Sequence, residues 1–100
     1  MRILFVCNQG KNRSRTAAEM LSDKHSTAYA GIFTNLKEET LEWADLVITM
    51  DDAQRKEIGS RFPRQYLKKR ILSINVPDIY SYGQVELKEL LEERLSAIQN

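Results

Sequence analysis

The chain has 100 residues, 42% hydrophobic and 29% charged, the profile of one soluble globular domain with a modest core and room for a site only at loop ends. Fifteen basic against fourteen acidic residues leave a formal charge of +1, which argues against bulk nucleic-acid binding. One cysteine excludes an internal disulfide and, with one histidine, makes a poor metal site; no apolar run is long enough for a signal peptide or membrane span, so a reduced, cytoplasmic protein is expected.

Residues 2 to 6, apolar from Ile3 onward, predict a short strand covered on both faces. From Ser14 to about Leu21, Ala17, Ala18 and Leu21 fall at helical spacing, so the chain runs strand, tight loop, helix. Residues 26 to 32, STAYAGI, read as a second and weaker strand. Asn35 with Glu38 three residues on predicts a helix start, with Leu36, Thr40 and Trp43 along one side. The β-branched run Leu46 to Met50 predicts a buried strand, after which Asp51 or Asp52 caps a helix reaching about Arg61 and stopping before Pro63. The basic stretch from Arg61 to Arg70 reads as a solvated helix or loop face. Ile71 to Val76 is the fourth predicted strand, followed by the loop PDIYSYG. Leu87, Leu90, Leu91, Leu95 and Ile98 then keep a helical period from about Val85 to the C-terminus. This alternation predicts a single doubly wound α/β domain over residues 1–100, a four-stranded parallel sheet with helices on both faces. Ligands of such sheets bind at the carboxyl ends of strands, where the loop of residues 7–13 and the PDIYSYG loop both emerge.

The first of these loops, VCNQGKNRS, is chemically loaded. A loop entering a helix N-terminus turns backbone N–H groups inward and adds the positive end of the helix dipole, which makes an anion cradle. Asn8, Gln9, Gly10, Lys11, Asn12, Arg13 and Ser14 would form it, with Gly10 free to take positive φ and Arg13 presenting a planar fork to two phosphate oxygens. Cys7 opens the ring, where these donors favour the thiolate, the nucleophilic form, and Ser14 can hydrogen-bond it. A nucleophile at the base of a phosphate cradle points to phosphoryl transfer through a phosphocysteine. Protonation of the departing oxygen needs an acid; Asp78 is the candidate, with Tyr80 and Tyr82 as a possible aromatic wall. His25 reads as merely exposed, and Asp51 and Asp52 as helix caps.

At these residues the sequence resembles the low-molecular-weight protein tyrosine phosphatases. LFVCNQGKNRSRTAAEM is similar to that family's strand, Cys-x5-Arg-Ser loop and helix; AGI and WADLVITMD resemble its second and third strands, and VPDIYSYG its acid loop. The resemblance spans nearly the whole chain and implies Cys7 as nucleophile, Arg13 as phosphate clamp, Ser14 as thiolate partner and Asp78 as general acid, then base. It implies no metal or organic cofactor, and a phosphorylated protein or small aryl phosphate as substrate. The chain departs from the pattern in four places. Gln9-Gly10 stands where relatives have Gly-Asn, Asn12 replaces a second cysteine, and Ile79 replaces the proline after the acid. The chain is also shortened between AGI and LEWADL, as in a compact branch with an open pocket. Two other readings share the motif: a phosphate- or phosphoprotein-binding module without turnover, and a thiol-dependent arsenate reductase, which would need an external thiol here.

Overall fold

The structure, a computed structural model, describes residues 1–99. Four parallel strands, β1 (Arg2–Cys7), β2 (Ser26–Gly31), β3 (Leu46–Thr49) and β4 (Arg70–Ser73), form one sheet in the order β2-β1-β3-β4. The helices among the described residues are α1 (Arg13–Leu21), α2 (Glu38–Trp43), α3 (Asp52–Arg61), α4 (Pro63–Lys68) and α5 (Val85–Gln99). The α/β architecture expected from the alternation is the one observed.

β1 organises the core because it is apolar on both sides. Side chains alternate across a strand, so Ile3, Phe5 and Cys7 join Leu46 and Ile48 under α1 and α5, packing on Ala17, Ala18, Leu87, Leu91 and Leu95. Leu4 and Val6 face the other way, with Val47, Ile71, Leu41 and Ile58 under α2 and α3. Full burial of each large aliphatic side chain contributes about 1.5–3 kcal/mol, so the two clusters supply most of the driving force. The chain leaves β1 for α1 on one face and leaves β3 for α3 on the opposite face. The crevice above the carboxyl ends of β1 and β3 is therefore the topological switch point, where such sheets bind ligands.

Several boundaries differ from expectation. Asn35 does not start α2: its Oδ1 accepts the Gly31 N–H at 2.8 Å, so the side chain is used in the preceding turn and the helix begins at Glu38. The stop before Pro63 holds for α3, but the chain resumes at once as α4, with Pro63 in its first turn, where the missing N–H costs nothing. The basic stretch is partly tied down, Lys69 Nζ donating to the carbonyls of Glu42 and Ala44, although Leu67 is 85% exposed. β4 ends at Ser73 rather than Val76 because Asn75 takes a left-handed φ of 56°. The chain curls there over β3, the N–H groups of Ile74 and Val76 bonding to Thr49 and Met50 carbonyls. His25 is partly buried rather than exposed. The helix expected to reach the C-terminus is present to Gln99, and Asn100 lies outside the described residues. No helix among the described residues is long and apolar enough to cross a membrane.

Candidate active site

Cys7 is the last residue of β1, and the next five residues bend back over it before α1 begins at Arg13. Its sulfur receives the Gly10 N–H at 3.1 Å and lies 3.0 Å from Ser14 Oγ. Gly10 adopts φ 72°, the left-handed conformation that turns its N–H inward. Ser14 is no helix cap: it sits fully buried in the first turn of α1 and bonds the sulfur instead. Asn12 occupies the N-cap without a side-chain hydrogen bond, and the first turn holds no acidic residue. The positive end of α1 is thus left for an anion.

Arg13 closes the ring from above. Its side chain is only 1% exposed. Nη1 donates to the Val76 carbonyl at 2.7 Å and to Asp51 Oδ2 at 3.3 Å, while Nε lies 3.6 Å from Asp78 Oδ1. Nη2 is buried with no partner among the described residues. A buried donor without an acceptor is costly, and an oxyanion against Cys7 would supply one.

The resulting cleft, lined by Cys7, Asn8, Gln9, Lys11, Asn12, Arg13 and Asp78, has a volume of about 130 Å³. At roughly 30 Å³ per water it holds about four waters, the scale of one tetrahedral oxyanion. A larger hollow of about 310 Å³ lies elsewhere, among Met1, Ile3, Leu21, His25 and Ile98; neither the cysteine nor the phosphate loop lines it, so the phosphoryl chemistry belongs to the smaller cleft. Asp78, 54% exposed, stands at the mouth. No group of three or more His, Cys, Asp or Glu side chains that could hold a metal occurs among the described residues.

The two tyrosines expected as an aromatic wall are not among the residues lining the cleft. Tyr80 packs against the core under α1 and α5. Tyr82 lies along α1, its hydroxyl donating to Glu19 Oε1 and its ring 4.2 Å below the Arg15 guanidinium. The Tyr82 hydroxyl, with Arg15 second, holds the Glu19 carboxyl below its ordinary range. The Gly83 N–H donates to Thr16 Oγ1 at 3.1 Å, so the segment carrying Asp78 is anchored to α1 by its far end.

Two site neighbours were missed from the sequence. Asp51 caps α3 as expected but also accepts from Arg13, and Gln54, 1% exposed, donates its Nε2 to Asn8 Oδ1 at 2.9 Å. The Asp-x-x-Gln spacing that signals a capping box marks both residues, but not their reach to the loop.

No protein-family model matches the chain, and no curated protein sequence does. Solved structures do. The YwlE arginine phosphatase from Geobacillus stearothermophilus superposes with a TM-score of 0.73 at 24% identity, over 98% of this chain and 92% of that one. The low molecular weight protein tyrosine phosphatase from T. tengcongensis gives 0.72 at 22%, over 99% and 95%. Vibrio vulnificus Wzb in complex with benzylphosphonate gives 0.77 at 18%, over 97% and 95%. The order of the sheet, the placement of its helices and these superpositions together give this chain the fold of the low molecular weight protein tyrosine phosphatases.

Proposed function

We propose that this chain is a cysteine-dependent phosphatase of the low-molecular-weight protein tyrosine phosphatase type, a single phosphatase-like domain over residues 1–100 that hydrolyses phosphate monoesters. The observation that carries the reading is the Cys7 sulfur bonded by Gly10 and Ser14 beneath a buried guanidinium with one nitrogen that has no partner among the described residues. The Cys7 thiolate attacks phosphorus in line as the ester P–O bond breaks, and Asp78 gives its proton to the leaving oxygen. Charge on the remaining oxygens is met by Arg13 and the loop N–H groups, already oriented before reaction. Water then attacks the phosphocysteine; Asp78 takes its proton, the P–S bond breaks, and phosphate leaves with the thiolate restored. Asp78 rests beside Arg13 Nε at 3.6 Å, where an incoming oxyanion takes its place as the partner of the guanidinium.

The substrate is a phosphorylated protein or a small aryl phosphate, and the lone reduced cysteine supports a cytoplasmic setting. Because neither Tyr80 nor Tyr82 lines the cleft, phosphoarginine is the second reading, favoured by the half-exposed carboxylate of Asp78 at the mouth, already beside one guanidinium, that of Arg13, and by the arginine phosphatase among the structural neighbours. The test is hydrolysis of p-nitrophenyl phosphate at mildly acidic pH by wild type, Cys7→Ser and Asp78→Ala. Turnover by wild type, none by Cys7→Ser and a loss of about 10²–10⁴ in Asp78→Ala support the mechanism. Binding of phosphate without turnover by wild type would replace it with a binding module. Phosphotyrosine and phosphoarginine peptides then rank the substrates.

A further inference from the structure

We propose that Gln54 is a positioning residue that locks the phosphate loop and its arginine clamp into one geometry, an inference that rests on the phosphatase reading of the same site. Gln54 lies outside the cleft, near the start of α3, and is 1% exposed. Its amide uses both halves. Oε1 accepts the N–H groups of Met50 at 2.8 Å and Asp51 at 3.0 Å. Nε2 donates to Asn8 Oδ1 at 2.9 Å and to Asp51 Oδ2 at 3.3 Å. That same Asp51 oxygen accepts from Arg13 Nη1. Rotating the amide by half a turn would set donor against donor, so the orientation is fixed.

One buried amide therefore joins the end of β3, the start of α3 and the first loop residue after Cys7, and through Asp51 it holds the guanidinium. The two halves do different work. The acceptor half completes the capping box, in which the Gln54 N–H also bonds Asp51 Oδ1 at 3.2 Å. The donor half reaches the site. Its bond to Asn8 Oδ1 holds the first residue of the loop from outside the cleft.

The halves can be separated. Gln54→Glu keeps an acceptor for the two backbone N–H groups, as glutamate does in ordinary capping boxes, but removes the donors. Gln54→Met removes both halves without adding charge. The new carboxyl would face Asp51 on its own helix, the Arg13 guanidinium from α1 and, across that guanidinium, Asp78. Burial beside Asp51 raises its pKa; once protonated, its O–H restores a donor to Asp51 or Asn8.

The experiment measures kcat/KM for p-nitrophenyl phosphate, the dissociation constant of inorganic phosphate and the melting temperature, from pH 5 to 8, for wild type and both variants. Displacements near 1 Å cost on the order of 10²-fold, so folded Gln54→Met is expected to lose about 10- to 100-fold in kcat/KM and about tenfold in phosphate affinity. Gln54→Glu should match that loss at pH 8 and recover toward wild type as the pH falls, a profile that a mere cap does not give. Folded Gln54→Met within twofold of wild type in both constants, whatever its melting temperature, overturns the proposal. If only the charged variant is impaired, the effect is charge and positioning is overturned. Should Gln54→Met fail to fold, Asn8→Ala breaks the same bond from the loop side without touching the cap, and unchanged constants there are equally fatal. A wild type that binds phosphate without turnover ends the phosphatase reading, while phosphate affinity still decides the role of Gln54. A wild type that does neither ends both.

Discussion

Gly10 and Gly83 form a matched pair for testing how tightly the phosphate loop is held. Both have φ 72°, so alanine at either position pays the left-handed penalty, about 1–2 kcal/mol. They differ in what a Cβ would meet. At Gly83, chain neighbours apart, nothing among the described residues lies within 4 Å; at Gly10 the Cβ would fall 2.5 Å from the Gly31 nitrogen and 2.8 Å from the Ala30 carbonyl carbon. Ordinary contact begins near 3.4 Å, so the loop must retreat by about 0.9 Å from a buried strand end that cannot rotate aside. The Gly10 N–H to Cys7 bond, 3.1 Å long, would stretch to roughly 4 Å and be lost. Overpacking of this kind costs about 1–3 kcal/mol beyond the backbone term, which at about 4–8 °C per kcal/mol separates the two melting temperatures by at least about 4 °C. A shift near 1 Å costs on the order of 10² in rate. Thermal melts and kcat/KM for p-nitrophenyl phosphate check both: Gly10→Ala should lose stability and about 10² in kcat/KM, whereas Gly83→Ala loses stability alone. Equal melting temperatures with equal activity would refute the claim that the loop is wedged against β2.

Three further outcomes follow from the geometry. Ser14→Ala removes a hydroxyl 3.0 Å from the Cys7 sulfur; a bond to a charged group contributes about 1.5–3 kcal/mol, so kcat should fall by about 10- to 150-fold, and an unchanged kcat would deny Ser14 its part. Phosphate at about 100 times its Kd stabilises a binding-competent protein by about 2.7 kcal/mol, and wild type should show that rise in Tm. Arg13→Lys, which has no fork to offer, should not; an equal rise in both would place the phosphate elsewhere. The Glu19 carboxyl is held below its ordinary range by Tyr82 and then Arg15, so its contribution is present above the unfolded carboxylate range and lost as pH falls through the folded value. The melting-temperature gap between wild type and Glu19→Gln should be open at pH 7 and close in acid, and a gap constant down to pH 3 would contradict the tether.

The sequence carried the architecture because its signals were local. The apolar run before Cys7, the β-branched run ending near Met50 and the leucine period from Val85 each state their element without help from distant residues. The Cys-x5-Arg-Ser spacing likewise places the loop, since strand, turn and helix entry are contiguous. What was not legible depends on partners far along the chain. Asp51 announces a cap, but nothing local says that its second oxygen meets Arg13, 38 residues away. Gln54 stands in a polar helix, and nothing local says that Asn8 meets it across 46 residues. Tyr80 and Tyr82 lie in a loop without regular period, so their directions follow from packing on the core and on α1. Asn35 looked like a cap because its chemistry suits one, and the Gly31 N–H claimed it first.

The bond from Arg13 to the Val76 carbonyl links positions 63 residues apart, and this has a kinetic meaning. The β1–loop–α1 unit closes over a short contour and can form early in folding. The guanidinium finds its final acceptor only after β4 has docked and the chain has turned at Asn75. An anion that needs the finished clamp therefore recognises the native state and little before it. By the partition of stability between rates, such a ligand acts on escape from the native basin: it lengthens the lifetime of the folded protein and leaves the speed of its formation nearly unchanged.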